Sequence, residues 1–470
     1  MDDADKLKTI FGPGRWALSV GIILGVTLMA FEALAVVTVA PGIAASLDGR
    51  ALYGWTFSGF FLASLLATVI AGDASDRRGP LLPLALALPL FGAGLLVSAA
   101  APNMPLFILG RALQGLGGGA LTVCLYVAIN LVYPDELRPR MMALVSSAWI
   151  LPALLGPSLA GLLADLFGWR SVFWAVLPLL VVAAVLALPA FRGLGNKGDA
   201  AGQNRLLPAA ALAIGAGVFL AALSQPRTWL APPLVLLGAL PLVWGLRRVT
   251  PAGTLQLSRG LPALLAARGL FYAAFVGIEA FLALALTEVH GFSGTLTGAA
   301  IAAGSLSWTA GSWAQDRLDS RLADANKFAG RRRRILIGCA VLACGVAAQF
   351  GALYTDTLPL LATILAWATC GFGIGLAHAT SSVLAFKLAP EGGEGAVSSA
   401  LQIADTFTSA MSAGIGGALL ALAGTLAWST QSGVALAFAV SAAAIVLALV
   451  SAYRVGPQDA VPDAAEVRRS

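Results

Sequence analysis

The sequence predicts an all-α polytopic membrane protein: two bundles of six transmembrane helices with two further spans between them, fourteen in all. Three observations lead there. The first is composition. Of the residues 59% are apolar and 11% charged, with a mean hydropathy of +0.86, whereas a soluble domain carries about 25% charged residues. A water-soluble core of 470 residues could not hide that much apolar surface. The second is a series of apolar runs of the roughly 20 residues that a bilayer requires, grouped six, two, six. The third is internal duplication between the two groups of six.

The first six runs cover 16–47, 51–72, 81–101, 105–131, 141–166 and 171–191. A polar stretch, FRGLGNKGDAAGQNR, leads to two spans at 207–225 and 229–246, joined by SQPRTW. A second polar stretch, LRRVTPAGTLQLSRG, leads to 262–289, 293–314, 335–354, 358–386, 395–425 and 431–453. The organisation expected is therefore a bundle over 1–191, linkers with two extra spans over 192–260, a second bundle over 261–454 and a tail over 455–470. The middle pair carries no embedded charge and reads as peripheral. The N-terminus lacks a small-residue cleavage site after its first apolar run, so that run reads as a retained span.

Charge sets the orientation. With the N-terminus inside, most of the 29 Lys and Arg fall on the cytoplasmic side, Arg331 to Arg334 among them, and only Arg50, Arg170 and Arg227 fall outside. Both termini are expected in the cytoplasm, in a cell (inner) membrane. The net charge of +6 thus reflects topology and does not indicate a nucleic-acid partner. Cys124, Cys339, Cys344 and Cys370 lie in apolar runs without ligand spacing, so neither a metal site nor a disulfide framework is indicated.

The duplication is legible in four places. FEAL around Glu32 returns as IEAF around Glu279, VSSAW at 145–149 as VSSAL at 397–401, GDASDRR at 72–78 as GSWAQDR at 311–317, and QGLGGG at 114–119 as CGFGIG at 370–375. Parallel halves of this kind place a substrate site between them near the bilayer midplane.

Acids inside such runs are the candidate functional groups. A charge at the bilayer centre costs about 2.5–3.5 kcal/mol on insertion scales, so an embedded acid usually faces a cavity and acts on ions or substrate. Glu32, Glu279 and Asp405 are of this kind and are expected at similar depth. The plainer alternative is a protonated acid hydrogen-bonded inside a bundle. Burial disfavours the charged form of a carboxyl, which suits a group that takes up and releases protons. Arg111 also lies within an apolar run and cannot shed its charge, so it needs a carboxylate, backbone carbonyls or water, unless it snorkels to the outer leaflet. Arg268 falls at the edge of a span. His290 is expected in an outer loop without a role, and His378 as a packed, hydrogen-bonded residue more than as a relay.

Four signatures resemble the major facilitator superfamily, specifically its fourteen-span drug:proton antiporters. GDASDRRGP is similar to the family's G-x-x-x-D-R-x-G loop through Gly72, Asp76, Arg77 and Gly79, with Pro80 and Leu81 where the family has basic residues. The resemblance implies a cytoplasmic latch of the outward-facing state, in which Asp76 caps the third span and pairs across the halves; a solvated turn is the alternative. GRALQGLGGGA implies a proton-coupling role for Arg111 with the first-span acid, confined to the first half because Trp367 occupies the matching place in the second. PALLGPSLAG is similar to the antiporter signature G-x-x-x-G-P-x-x-x-G through Gly156, Pro157 and Gly161, with Pro152 replacing the first Gly. A Gly-Pro kink where the halves meet would serve as pivot or seal and favours export. FGWRSVFWAVLP, from Phe167 to Pro178, matches the opening of the family's sixth span and reads as an interfacial anchor.

The resemblance implies the major facilitator fold and a secondary transporter, monomeric and without cofactor. It would exchange protons for small amphipathic drugs or toxic compounds by alternating access, in contact with membrane lipids. Substrate and protons would compete for Glu32, with Arg111 adjusting its affinity and Glu279 and Asp405 setting charge preference or carrying a second proton. Export of a lipid or an endogenous metabolite is the alternative, and a non-transporting membrane protein a remoter one. No nucleotide-binding loop is visible, since Gly115 to Gly119 lacks the Lys-Ser/Thr ending. Neither H-E-x-x-H nor a nucleophile elbow suggests an enzyme. At 8% aromatic residues, the composition gives the cavity wall no stacking bias.

Overall fold

The computed structural model describes residues 10–12, 15–134, 136–194, 206–224, 229, 231–321, 327–390 and 393–456, the side chains at 139 and 394 excepted. The extreme N-terminus, residues 195–205 of the first polar linker, residues 225–228 with Arg227, residues 322–326 and the tail past residue 456 lie outside them.

The first half is built from α1 (Trp16–Ser46), α2 (Trp55–Arg78), α3 (Leu81–Ala100), α4 (Met104–Val132), α5 (Arg138–Ser147), α6 (Ile150–Phe167) and α7 (Arg170–Ala190). The middle pair is α8 (Leu206–Leu223) and α9 (Ala231–Val249). The second half comprises α10 (Leu261–Leu284, continued by a π-helical turn at Ala285–Val289), α11 (Gly294–Ser320), α12 (Lys327–Leu353), α13 (Pro359–Lys387), α14 (Glu394–Thr425) and α15 (Thr430–Tyr453). The six-two-six order holds.

Three local departures from the sequence reading have physical causes. The fifth span is broken into α5 and α6 around Ala148 and Trp149. Pro152 has no N–H to give the carbonyl four residues back, and that carbonyl, on Ala148, accepts from the Thr27 hydroxyl instead at 3.3 Å. The segment 72–78 is helix and not loop: α2 runs through Arg78, and Gly79, at φ +80°, ends it. Arg331 to Arg334 likewise belong to the first turns of α12.

Thirteen spans among the described helices are long and apolar enough to cross a membrane. The fourteenth expected span, α11, has the length at 27 residues but not the hydropathy. It is rich in Gly, Ser and Thr because it lies between two partners. A Cβ on Gly304 would strike the Trp367 indole, and one on Gly298 the backbone of Pro157. Small residues let helix backbones meet closely where lipid gives no drive to associate, and they lower the mean hydropathy of the helix that carries them.

The halves meet along two seams, α2 against α14 and α6 against α11. On the first seam a Cβ on Gly54 would lie 2.8 Å from the Gly417 Cα, and the Ser58 hydroxyl donates to the Ala410 carbonyl at 2.7 Å. α8 covers this seam, setting Leu212 and Leu220 with Leu62 and Leu65 of α2 and Ile403 and Phe407 of α14. α9 lies outermost, with 11% of its span buried, whereas α10 is the most enclosed at 83%.

Candidate functional site

The α1 acid has a partner. The Arg111 guanidinium on α4 forms an ion pair with Glu32, and the two side chains are 3% and 2% exposed. Arg111 also donates to the Gln114 side chain and, at 3.0 Å, to the Thr56 carbonyl, and its guanidinium lies 4.6 Å from the Phe60 ring centroid. Gln114 passes the network on to the Ser98 hydroxyl at 2.9 Å. Of the partners the sequence leaves open, Arg111 takes a carboxylate and a carbonyl together, and it does not snorkel. Glu32 is not an open acceptor in this state. Anything competing for it must first displace Arg111.

The second half carries a pair of its own. Arg268 on α10 makes a forked contact with Asp405 on α14, Nε to Oδ1 at 2.9 Å and Nη2 to Oδ2 at 2.7 Å. Its Nη1 reaches the Ser381 and Ser382 hydroxyls on α13 at 3.1 and 2.7 Å. His378 Nε2 lies 2.6 Å from Arg268 Nη2 and 3.2 Å from Asp405 Oδ2. An arginine–acid pair is therefore present in the second half as well, though not from the span-four position. Trp367 does stand where Arg111 has its counterpart, buried and donating to the Ile301 carbonyl at 3.1 Å, but the guanidinium enters from α10 instead. His378 is packed and hydrogen-bonded, as expected, and its partners are this ion pair. The burial argument applied to Arg111 was equally open for Arg268; its partners on two other helices were not.

Glu279 differs from both other acids. It is half-buried and has no hydrogen-bond or ion-pair partner among the described residues. Arg268, Tyr272, Phe275 and Glu279 recur every three or four residues, so they share one stripe of α10. Between 271 and 286, solvent reaches α10 only at Tyr272 and Glu279. Arg268 is three turns from Glu279, about 16 Å along the axis. Asp405, paired to Arg268, is thus not at the depth of Glu279, as the sequence reading had it. Aromatic groups gather along the same stripe. Tyr272 and Trp308 flank His378 with centroids at 5.5 and 5.4 Å, and Phe275 stacks on Trp367 at 4.5 Å. The overall composition does not show this local cluster.

The Gly-Pro signature lies on the seam. A Cβ on Gly161 would run into the Gly294 backbone, one on Gly298 into that of Pro157, and Gly156 faces Phe31 of α1 at 3.5 Å. Asp165, one turn on, caps α11 by accepting from the Gly294 and Thr295 N–H groups at 3.1 and 3.0 Å and from the Thr295 hydroxyl at 2.8 Å. Arg50 pairs with Glu288 and donates to Thr430 at 3.1 Å, and the Tyr53 hydroxyl donates to the Ala280 carbonyl at 3.0 Å. These ties between the halves all lie at the end of the bundle away from residues 10 and 456.

At the other end, Arg77 pairs with Asp73 of its own helix at 2.9 Å. Gly72 has open space around it and Asp76 is exposed in the last turn of α2. α3 begins behind Pro80, which supplies no side-chain cap. Asp319, at the matching corner of the second half, is held below its ordinary carboxylate range by the Arg331 hydrogen bond, with burial opposing and Arg334 assisting. His290 follows α10 in the far loop, where burial holds its ring below the usual imidazole value.

A family model, the Major Facilitator Superfamily, matches residues 21–413. Among curated proteins, a "probable multidrug-efflux transporter" of Mycobacterium tuberculosis, recorded for two strains, is 29% identical over 448 residues, covering 90% of this chain and 92% of its own length. Among solved structures, a peptide transporter of the POT family bound to sulfate superposes with a TM-score of 0.66 at 16% identity, covering 92% of this chain and 93% of its own. A D-xylose–proton symporter gives 0.65 at 15%, covering 94% and 98%. The chain belongs to the Major Facilitator Superfamily and is a membrane transporter, not an enzyme.

Proposed function

We propose that this superfamily member is a proton-coupled antiporter that exports small amphipathic compounds by alternating access. The observation that carries the reading is the sealed Glu32–Arg111 pair. A buried ion pair is often no more stabilising than apolar residues of the same volume, so its presence on an inner helix favours a working role. Protonating Glu32 removes the charge that holds Arg111, and that is a step a proton gradient can drive. The Gly-Pro seam and the multidrug-efflux name of the mycobacterial relative support export over uptake.

In this reading both termini are cytoplasmic, in a cell membrane, and the ties at Arg50, Tyr53 and Asp165 close the extracellular end. The state is then inward-facing. The end of α2 through Gly72, Asp76, Arg77 and Gly79 would act as the latch across the halves when the transporter turns outward. Glu279, unpaired and solvent-reached, would meet a cationic cargo. The cycle needs protons, cargo and surrounding lipid but no cofactor, and a monomer suffices. A second reading, export of a lipid or an endogenous metabolite, is favoured by one feature. The cleft of about 60 Å³ between α1, α4 and the α5–α6 break is lined by Val26, Met29, Leu125, Ile129 and Trp149, with Thr122 as a polar member.

Substrate-induced proton release in proteoliposomes holding an internal pH dye tests the proposal, across lipophilic cations and neutral drugs. Release that requires both a compound and Glu32, and disappears in Glu32→Gln, is the expected result. Compound flux without proton movement, from folded protein, would refute coupling. Silence with every drug would favour the lipid or metabolite cargo.

A further inference from the structure

The second half holds its arginine–carboxylate pair differently from the first, because a histidine is set into it. Glu32 and Arg111 are sealed, whereas the His378 side chain remains 23% exposed beside an Arg268 that is 6% exposed. The ring is thus the more open of the two groups.

The contacts favour one form of the ring. Arginine is a donor with no acceptor and does not give up its proton. The 2.6 Å contact between Arg268 Nη2 and His378 Nε2 is therefore a guanidinium N–H donating to a ring lone pair. The ring is neutral and carries its proton on Nδ1. Asp405 Oδ2 stands 3.2 Å from that same Nε2 and, with the lone pair in place, has nothing to accept from it.

We propose that His378 is a proton-handling positioning residue of the transport cycle, and that its protonation loosens the tie that Arg268 makes from α10 to α13 and α14. A proton arriving at Nε2 takes the lone pair, so two donors then face each other across the Arg268–His378 contact. That hydrogen bond breaks. The new N–H turns to Asp405 Oδ2, and the carboxylate is shared between two cations. Arg268 is left with a weakened claim on Asp405 and the hydroxyls of Ser381 and Ser382. Deprotonation restores the tie. The titratable or charged groups facing the ring are Arg268 and Tyr272 from α10 and Asp405 from α14; α11 contributes Trp308, which does not titrate. Tyr272 and Trp308 pack against the ring and hold it in place while its proton comes and goes. α10 also bears Glu279, so a change in its anchorage reaches the proposed cargo contact along one helix. The inference rests on the proton-coupled reading above.

The chain has 2 histidines, so labelled-histidine nitrogen NMR of the full-length His290→Gln protein in detergent reports His378 alone. At alkaline pH the Nδ1–H tautomer is expected. Acidification through the range in which histidine titrates, about pH 5–8, should give the imidazolium. In Asp405→Asn, which keeps an acceptor but no charge, protonation should require lower pH. An Nε2–H tautomer at alkaline pH, or the same titration in Asp405→Asn, overturns the proposal. In proteoliposomes His378→Gln keeps an acceptor for Arg268 but cannot become a cation, and its transport should lose the pH dependence shown by wild type in that range. An unchanged pH profile also overturns it. The two readings fail separately: proton release that survives Glu32→Gln sinks proton coupling at Glu32, while the NMR result depends on no transport at all.

Discussion

Arg111 and Glu32 face each other across the interior of the first half with almost no exposure to solvent, and each is the reason the other can be there. A lone guanidinium cannot neutralise itself and a lone carboxylate could only by binding a proton. Breaking a buried pair by removing one partner costs about 3–5 kcal/mol. Arg111→Leu should therefore lower the melting temperature in detergent by several degrees, and adding Glu32→Gln should recover part of the loss. Arg111→Lys keeps the charge but not the fork that reaches Glu32, Gln114 and Thr56 together, and transport should fall at least about tenfold. Equal melting of Arg111→Leu with and without Glu32→Gln would argue against mutual dependence.

Among the described residues Glu279 has no hydrogen-bond or ion-pair partner to lose. Glu279→Gln should change stability by no more than about 0.5 kcal/mol, as surface-like substitutions do, yet reduce export of cationic compounds about tenfold while sparing neutral ones. Transport assays with a matched cationic and neutral pair decide this, and an equal loss for both would remove Glu279 from cargo recognition.

The α6–α11 seam has no room for side chains at its glycines. Gly161→Val would push against the Gly294 backbone and Gly298→Val against Pro157, so either should open the far end of the bundle. Alkylation of a cysteine introduced at Thr287, in a background lacking the native cysteines, should then accelerate severalfold from that side. Unchanged labelling would show that the seam does not seal.

Asp319 gives a pH prediction with a definite sign. Its folded value lies below the ordinary one because it accepts from Arg331, with Arg334 assisting. A depressed carboxyl contributes stability that is complete above its unfolded value, about 3.9, and is lost as pH falls through the folded value. The melting temperature of wild type should exceed that of Asp319→Asn at neutral pH, and the gap should close below about pH 4. A gap that persists there would assign the effect to packing.

The near end yields a simpler expectation. Arg77 pairs within its own helix here, so Asp76→Asn should leave cargo binding intact while slowing turnover severalfold. Binding by tryptophan fluorescence and transport in vesicles separate the two, and unchanged turnover would rule out a latch.

How much of this the sequence carried depended on the range of the interaction. Apolar runs, loop charges and repeated segments are properties of the chain itself, and they determined helix content, the six-two-six order and the presence of acids in Glu32, Glu279 and Asp405. Even the break in the fifth span was written locally in Pro152, four residues beyond the carbonyl it frees. Partnership was not written locally. Arg111 and Arg268 each signal a need for a counter-charge, but whether that is met by Glu32, by Asp405 or by water depends on which helices adjoin and how they are rotated. The tertiary structure alone decided that Glu32 and Asp405 are taken and that Glu279, among the described residues, is not, and that His378 lies beside an arginine. Helix rotation and depth arise from packing across whole bundles, where glycines such as Gly298 and Gly304 set the approach, and a linear pattern of residue types does not encode them.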